Sequence, residues 1–312
     1  MRRPFSVLAL CLLFALGCGP LSRHTVQHNG IEREYHLFVP DSAAPGAPLV
    51  LALHGGGGLG RKMDGYTRRG ISREAAERGW VVAFPQGTER GWDDGRKLVT
   101  EKDKRRAGVD DVGFLLALID ELAEAGTADP QRVVVTGISN GGFMSYRLGV
   151  EAPHRIAAIA PVIANHATVL EDRDPGLPLS VLVMNGTADP LVPYEGGEVT
   201  LFEQKRGHIL STDETIAWWA ASAGCGAPEP ERAVPDRDPE DGTTVFIQRT
   251  TDCDGSAEMV RVRVQGGGHT WPRGSGVLGE GLVGPVSQDI DGAAVIFRFF
   301  DRHIDDRAAS EP

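Results

Sequence analysis

The chain has 312 residues, and its 41% hydrophobic and 24% charged residues are the proportions of a globular protein long enough to bury a large core. A formal charge of −11, with no long run of Lys or Arg, excludes a nucleic-acid-binding face. The 40 glycines and 20 prolines sit between apolar runs and mark tight turns rather than disorder.

The first residues read as an export signal. Met1-Arg2-Arg3 is basic, and residues 7–16 are apolar but too short to span a bilayer as a mature helix. Ala15-Leu16-Gly17-Cys18 resembles a bacterial lipoprotein cleavage site, which would make Cys18 the lipidated first residue and attach the protein to a membrane. A twin-arginine signal at Arg2-Arg3-Pro4-Phe5 is the competing reading. Either one makes the protein extracytoplasmic, secreted or lipid-anchored at a bacterial envelope. Residues 1–18 are then leader, 19–30 a polar linker, 31–304 a single domain and 305–312 a tail.

Residues 32–39 alternate in a way that suits a strand near a sheet edge, and 49–53 form a continuous apolar run, the mark of a strand buried on both faces. The latter ends in His54-Gly55-Gly56-Gly57-Gly58, where bare backbone N–H groups could hold an anion or oxyanion. The Gly-Lys-Ser/Thr ending of a phosphate loop is missing. A helix is expected over 71–78, stopped by Gly79, then a buried strand over 80–84 and a polar loop over 88–106 that carries Trp92. Asp110-Asp111 opens an amphipathic helix with Val112, Leu115, Leu116, Ile119 and Leu122 at helical spacing, and both acids are expected to cap its positive end.

The apolar run 132–136 leads into Gly137-Ile138-Ser139-Asn140-Gly141-Gly142. A serine flanked by glycines two residues away, between a strand and a helix, is the nucleophile elbow of an α/β-hydrolase. Further strands are expected over 156–163, 181–184, 244–248 and 259–264, and helices over 144–150, 214–221 and 289–302. Strand and helix interleave throughout, so the expected fold is α/β: an α/β-hydrolase with a mainly parallel sheet and helices on both faces. Cys225 and Cys253 bracket a polar excursion and read as a disulfide in an oxidising compartment, the alternative being two buried thiols. Neither their spacing nor their neighbours suggest a metal site, and no residue pattern calls for a cofactor.

A serine nucleophile needs a base, an acid to orient it and donors for the oxyanion. The fold orders these as Ser, Asp/Glu, His, each after a strand. Asp189 in Asn185-Gly186-Thr187-Ala188-Asp189-Pro190 follows one strand, and His269 in Gly266-Gly267-Gly268-His269-Thr270-Trp271-Pro272 follows another. His54 precedes the nucleophile and is expected to hold backbone. Backbone N–H groups of Asn140 and of the glycine loop would bind the oxyanion. Trp92 and Trp271 would wall the substrate pocket with residues 273–284, packing being the equal alternative for both.

Together Leu53-His54-Gly55-Gly56-Gly57, the elbow, Asn185-Gly186-Thr187-Ala188-Asp189 and the Gly266–Pro272 stretch resemble the polyhydroxybutyrate depolymerase and feruloyl esterase family, secreted carboxylesterases. The resemblance runs from about Arg33 to Phe300 and includes Asp110-Asp111-Val112-Gly113-Phe114 and the late cysteine pair. It implies Ser139 as nucleophile, Asp189 as acid, His269 as base and Gly56 as second oxyanion donor, with Gly57 beside it. Many relatives have Cys where this chain has Gly56. The implied activity is hydrolysis of feruloyl, hydroxybutyrate-type or short acyl esters, small or polymer-borne. A serine peptidase of the same fold and an inactive hydrolase acting as a binding protein are the alternatives.

Overall fold

The computed structural model describes residues 21–96, 108–201, 204–275 and 280–306. The export signal with Cys18, most of the loop after Trp92 and part of the 273–284 loop lie outside them.

Among the described residues, ten strands form one sheet. In chain order, β1 (Ser22–His28), β2 (Ile31–Phe38), β3 (Ala47–Leu53), β4 (Val81–Pro85), β5 (Ala128–Ile138), β6 (Ala158–Val162) and β7 (Ser180–Gly186) come first. A separate hairpin of β8 (Gly197–Leu201) and β9 (Gln204–Ile209) follows, then β10 (Arg232–Ala233), β11 (Thr244–Thr250) and β12 (Met259–Gln265). The spatial order is β1-β2-β4-β3-β5-β6-β7-β12-β11-β10. The six strands from β4 to β12 run parallel, and the two outer pairs at each edge are antiparallel.

The period-two rule sorts the core cleanly. Leu49, Leu51 and Leu53 of β3 face one layer with Val133 and Val135, covered by α3 (Asp111–Glu124) and α4 (Asn140–Glu151). Val50 and Ala52 face the other with Phe84 and Val134, under α1 (Gly60–Tyr66), α2 (Gly70–Arg78) and α7 (Gly292–His303). All seven residues of β3 are buried, as a strand covered on both faces requires. The α5 helix (Thr212–Ser222) begins with a capping box between Ser211 and Glu214. A short α6 (Glu280–Val283) completes the helices used below.

Two expectations change, and one hairpin was not foreseen. Residues 22–28, expected as linker, form edge strand β1, paired with β2 along its length. Only Val26 of that strand is buried, so it shows no apolar alternation. The β8–β9 hairpin buries only Val199 and Ile209 and has no strand signature either. Of the two acids at α3, Asp110 alone is the cap, accepting from Gly113 N at 2.8 Å. Asp111 is fully buried, receives Arg33 Nη2 at 2.6 Å and accepts from Asp93 N at 2.7 Å. Cys225 and Cys253 form a disulfide.

Candidate active site

The carboxyl ends of the parallel strands gather the predicted residues at one edge of the sheet. Ser139 follows β5 and caps α4 with φ 52° and ψ −119°, a conformation a side-chain-bearing residue adopts only under constraint. The constraint is close packing. A Cβ on Gly141 would lie 2.3 Å from the Leu53 carbonyl, and one on Gly137 would lie 2.5 Å from Gly141 itself. Both glycines are therefore needed for the helix to leave the strand so sharply. The Ser139 amide donates to Val162 O at 3.0 Å, tying the elbow to β6.

Asp189 and His269 meet. His269 Nδ1 lies 2.7 Å from Asp189 Oδ2, and the two side chains are only 11% and 2% exposed. The other carboxylate oxygen of Asp189 accepts the backbone N–H groups of Leu191 and Val192, at 2.8 and 2.9 Å, so the acid is held by its own turn. The Asp189 and His269 loops are knitted together. Ala188 N donates to Gly267 O at 2.9 Å, and Gly266 N donates to Thr187 Oγ1 at 2.9 Å. A Cβ on Gly268 would meet Val283 O at 2.0 Å, which is why the approach to the histidine is glycine. Beneath the acid turn, Asn185 Nδ2 donates to Asn165 Oδ1 at 2.7 Å, and Asn165 Nδ2 donates to Pro193 O at 3.3 Å.

The glycine loop lies over the elbow. The nearest neighbour of a Cβ on Gly56 would be Asn140 Cβ at 3.7 Å, and one on Gly55 would lie 3.6 Å from Ser139 Cβ. Asn140 N–H occupies the first position of α4, where a helix offers no internal acceptor. Gly57 does not serve as a free donor: its N–H is committed to Arg90 O at 2.7 Å. Gly56 and Asn140 remain as the candidate oxyanion donors, and Gly57 instead ties the loop to Arg90. His54 holds backbone as expected. It accepts Gly87 N–H at Nε2 (3.0 Å), so Nδ1 carries the proton and donates to Gly55 O at 2.8 Å.

Neither tryptophan offers a face to substrate. Trp92 is fully buried, and its indole N–H donates to His54 O at 2.8 Å. Trp271 is 5% exposed and packs on the start of α7, where a Cβ on Gly292 would lie 2.8 Å from its Nε1. Both belong to the scaffold.

A lock on Asn140 escaped sequence reading. Its side chain accepts from Trp92 N at 2.8 Å and donates to Trp92 O at 3.1 Å and to buried Asp94 at 2.7 Å. Arg96 closes on that carboxylate, with Nη2 at 2.7 Å, and stacks 3.5 Å over Phe143. The Trp92-Asp93-Asp94 run was the available signal, because two adjacent acids after a tryptophan in a loop beside the elbow need partners.

A family model described as the prolyl oligopeptidase family matches residues 72–178. The chain is 31% identical to NocK of Nocardia uniformis subsp. tsuyamanensis, a protein named as an esterase, over 85% of this chain and 78% of that one. It is 27% identical to feruloyl esterase B of Piromyces equi over 78% of this chain, but spans only 42% of that protein's length. An acetyl xylan esterase from Aspergillus awamori superposes with a TM-score of 0.59 at 16% identity, covering 90% of this chain and 99% of the other, and so shares its fold. The chain belongs to the carbohydrate-esterase-like α/β-hydrolases and is a carboxylic ester hydrolase.

Proposed function

We propose that the protein is an exported serine carboxylesterase working through an acyl-enzyme on Ser139. The observation that carries the reading is the part-buried Asp189–His269 pair at 2.7 Å, at the same sheet edge as a serine held at φ 52°. Asp189 orients the imidazole with Nδ1–H toward it, which leaves Nε2 as the base for the Ser139 hydroxyl. Ser139 Oγ attacks the ester carbonyl as its proton passes to His269. The oxyanion is bound by the N–H groups of Gly56 and Asn140. The tetrahedral adduct then collapses, the C–O bond to the alcohol breaks, and His269 returns the proton to the leaving oxygen. Water repeats the cycle on the acyl-enzyme and releases the acid.

Relatives named as feruloyl esterases favour hydroxycinnamoyl or short acyl esters, with hydroxybutyrate-type esters the third class. Export is supported by the disulfide between Cys225 and Cys253, which belongs to an oxidising compartment, and by the leader, with lipidation at Cys18 the route to membrane attachment. The test of substrate class is a panel of methyl ferulate, acetylated xylan, p-nitrophenyl acetate and hydroxybutyrate oligomers. The reading predicts turnover of at least one. Cleavage of a prolyl peptide amide with no ester turned over would favour the peptidase alternative that the prolyl oligopeptidase match raises.

A further inference from the structure

The two candidate oxyanion donors belong to separate elements: Gly56 to the loop after β3, Asn140 to the first turn of α4. Such donors work only when both point at the place where the oxyanion develops, so their separation has to be fixed before the reaction begins. Neither element fixes it alone. Gly56 lies in a run of four glycines, the backbone least able to hold its own shape. The start of α4 lacks the usual brace, because Ser139 is its N-cap and makes no side-chain cap hydrogen bond.

The segment from Arg90 to Trp92 holds both. It grips Gly56 from either side: the Trp92 indole N–H donates to His54 O at 2.8 Å, and Arg90 O accepts Gly57 N–H at 2.7 Å. It grips Asn140 by the side chain: Oδ1 accepts Trp92 N–H at 2.8 Å, and Nδ2 donates to Trp92 O at 3.1 Å. Nδ2 also donates to Asp94 at 2.7 Å, so both its hydrogens are used, and a flipped amide would set oxygen against oxygen. Trp92 and Asp94 are fully buried and Asn140 is buried with them, which leaves little room for water as a substitute partner. The segment is itself pinned at its end. Asp93 N–H donates to Asp111 at 2.7 Å, and Asp93 O accepts Arg147 Nη1 at 2.6 Å.

Trp92 is thus bonded to residues beside one donor and on the other, 38 and 48 positions away in sequence. We infer that Trp92 is a positioning residue that sets the separation of the two oxyanion donors, acting on Gly56 through His54 O and on Asn140 through its side-chain amide. This role presupposes the acyl-enzyme reading of Ser139. Two consequences separate it from a purely structural one. Loosening either arm slows bond making at Ser139 without weakening the encounter with the ligand, because the donors are needed in the tetrahedral state. Loosening both does little more than loosening one, because the separation is set only while both arms hold.

Time courses of phosphonylation of the whole chain by a fluorophosphonate give kinact and KI separately. Ser139 Oγ bonds to phosphorus, fluoride leaves, the hydroxyl proton passes to His269, and the phosphoryl oxygen takes the oxyanion position. Trp92→Phe keeps a ring but loses the indole donor, and Asn140→Ala keeps the backbone N–H but loses the amide. Each should lower kinact about 10- to 100-fold, the scale of a displaced donor, with KI within about twofold of wild type. The pH midpoint of kinact should stay where wild type has it, since the Asp189–His269 pair is untouched. The double variant should fall no more than about twofold below the slower single. Undiminished kinact in a folded single variant, a loss carried by KI, a shifted pH midpoint, or a double variant slowed by the product of the two singles would each overturn the inference. Should Trp92→Phe fail to fold, kinact and KI of Asn140→Ala decide alone. A wild-type chain with no adduct at Ser139 would overturn the esterase reading instead.

Discussion

Replacing Asp111 by alanine should destabilise the protein more than any surface change, and the structure says why. Asp111 is fully buried and Arg33 is 5% exposed, with Nη2 to Oδ1 at 2.6 Å. Burial raises the Asp111 carboxyl above the usual carboxylate range, and the attraction of Arg33 does not fully restore it. Desolvation therefore outweighs the ion pair, as is common for buried pairs. Removing the carboxylate alone leaves the guanidinium buried without its counter-charge over the Phe114 ring, 3.9 Å away, and leaves the Asp93 N–H without its acceptor. The first of these costs about 3–5 kcal/mol, and the orphaned amide adds roughly 1–3 kcal/mol. Against a total stability of about 5–15 kcal/mol, the single variant is close to unfolding. Removing both charges in Arg33→Met/Asp111→Leu should recover most of the ion-pair part, because the desolvation cost disappears together with the attraction. Urea titrations of wild type, both singles and the double, with m held constant, give the coupling energy directly. A loss below about 1 kcal/mol in Asp111→Ala, or a double variant as unstable as the sum of the singles, would refute this reasoning.

Three further outcomes are expected. His166 is fully buried, stacks 4.1 Å from Trp218, and burial lowers its pKa from 6.5 to about 4. The unfolded chain takes up this proton first, so stability falls as pH drops from 6.5 toward about 4, by about 3 kcal/mol in all. His166→Phe should flatten that part of a stability–pH curve measured by denaturation, and an unchanged slope would contradict it. Burial pushes the Glu258 carboxyl up, but His303, Arg249 and Arg302 outweigh it and hold the group at about 2. Its contribution is present above 4.5 and lost as pH falls from there to about 2. His303, lowered by burial but raised further by Asp306 and Glu258, contributes below 6.5 and loses that contribution as pH rises through its raised value. Glu258→Gln should remove the acid limb and cost about 3–5 kcal/mol at neutral pH in thermal or urea unfolding. Finally, a Cβ on Gly58 would meet Gly55 O at 2.7 Å, whereas Gly57, at φ +75°, has open space around it. Gly58→Ala should shift the oxyanion loop and lower kcat by about 10²-fold, the cost of a lost donor. Gly57→Ala should cost about 1 kcal/mol of stability with little change in kcat. Equal kcat values for the two variants would sink the distinction.

What was legible in the sequence follows from where burial is two-sided. Residues 49–53 and 132–136 read as strands because parallel strands under two helix layers must be apolar on both faces. The order of Ser139, Asp189 and His269 was legible because each sits in a glycine-marked turn at a strand end. The antiparallel edge was not: β1 buries one residue of seven, and its strand pairing rests on backbone alone. The two tryptophans were ambiguous because a large aromatic beside a catalytic loop serves equally as wall or pillar, and only burial decides. Gly57 misled for a related reason. A run of four glycines says that N–H groups are approachable, but not which of them is already bonded to Arg90. The Asp94–Arg96 clamp on Asn140 joins residues 46 apart in sequence at its carboxylate–amide contact, which no local pattern encodes.

The central claim is that Ser139 is the nucleophile, activated by His269. Its most direct test is intact mass spectrometry of the folded chain after treatment with a fluorophosphonate, beside Ser139→Ala and His269→Ala handled identically. We predict one stoichiometric adduct on wild type, mapping to the peptide that holds Ser139, none on Ser139→Ala, and strongly slowed labelling of His269→Ala. An adduct on another serine, or full-rate labelling without His269, would contradict the account.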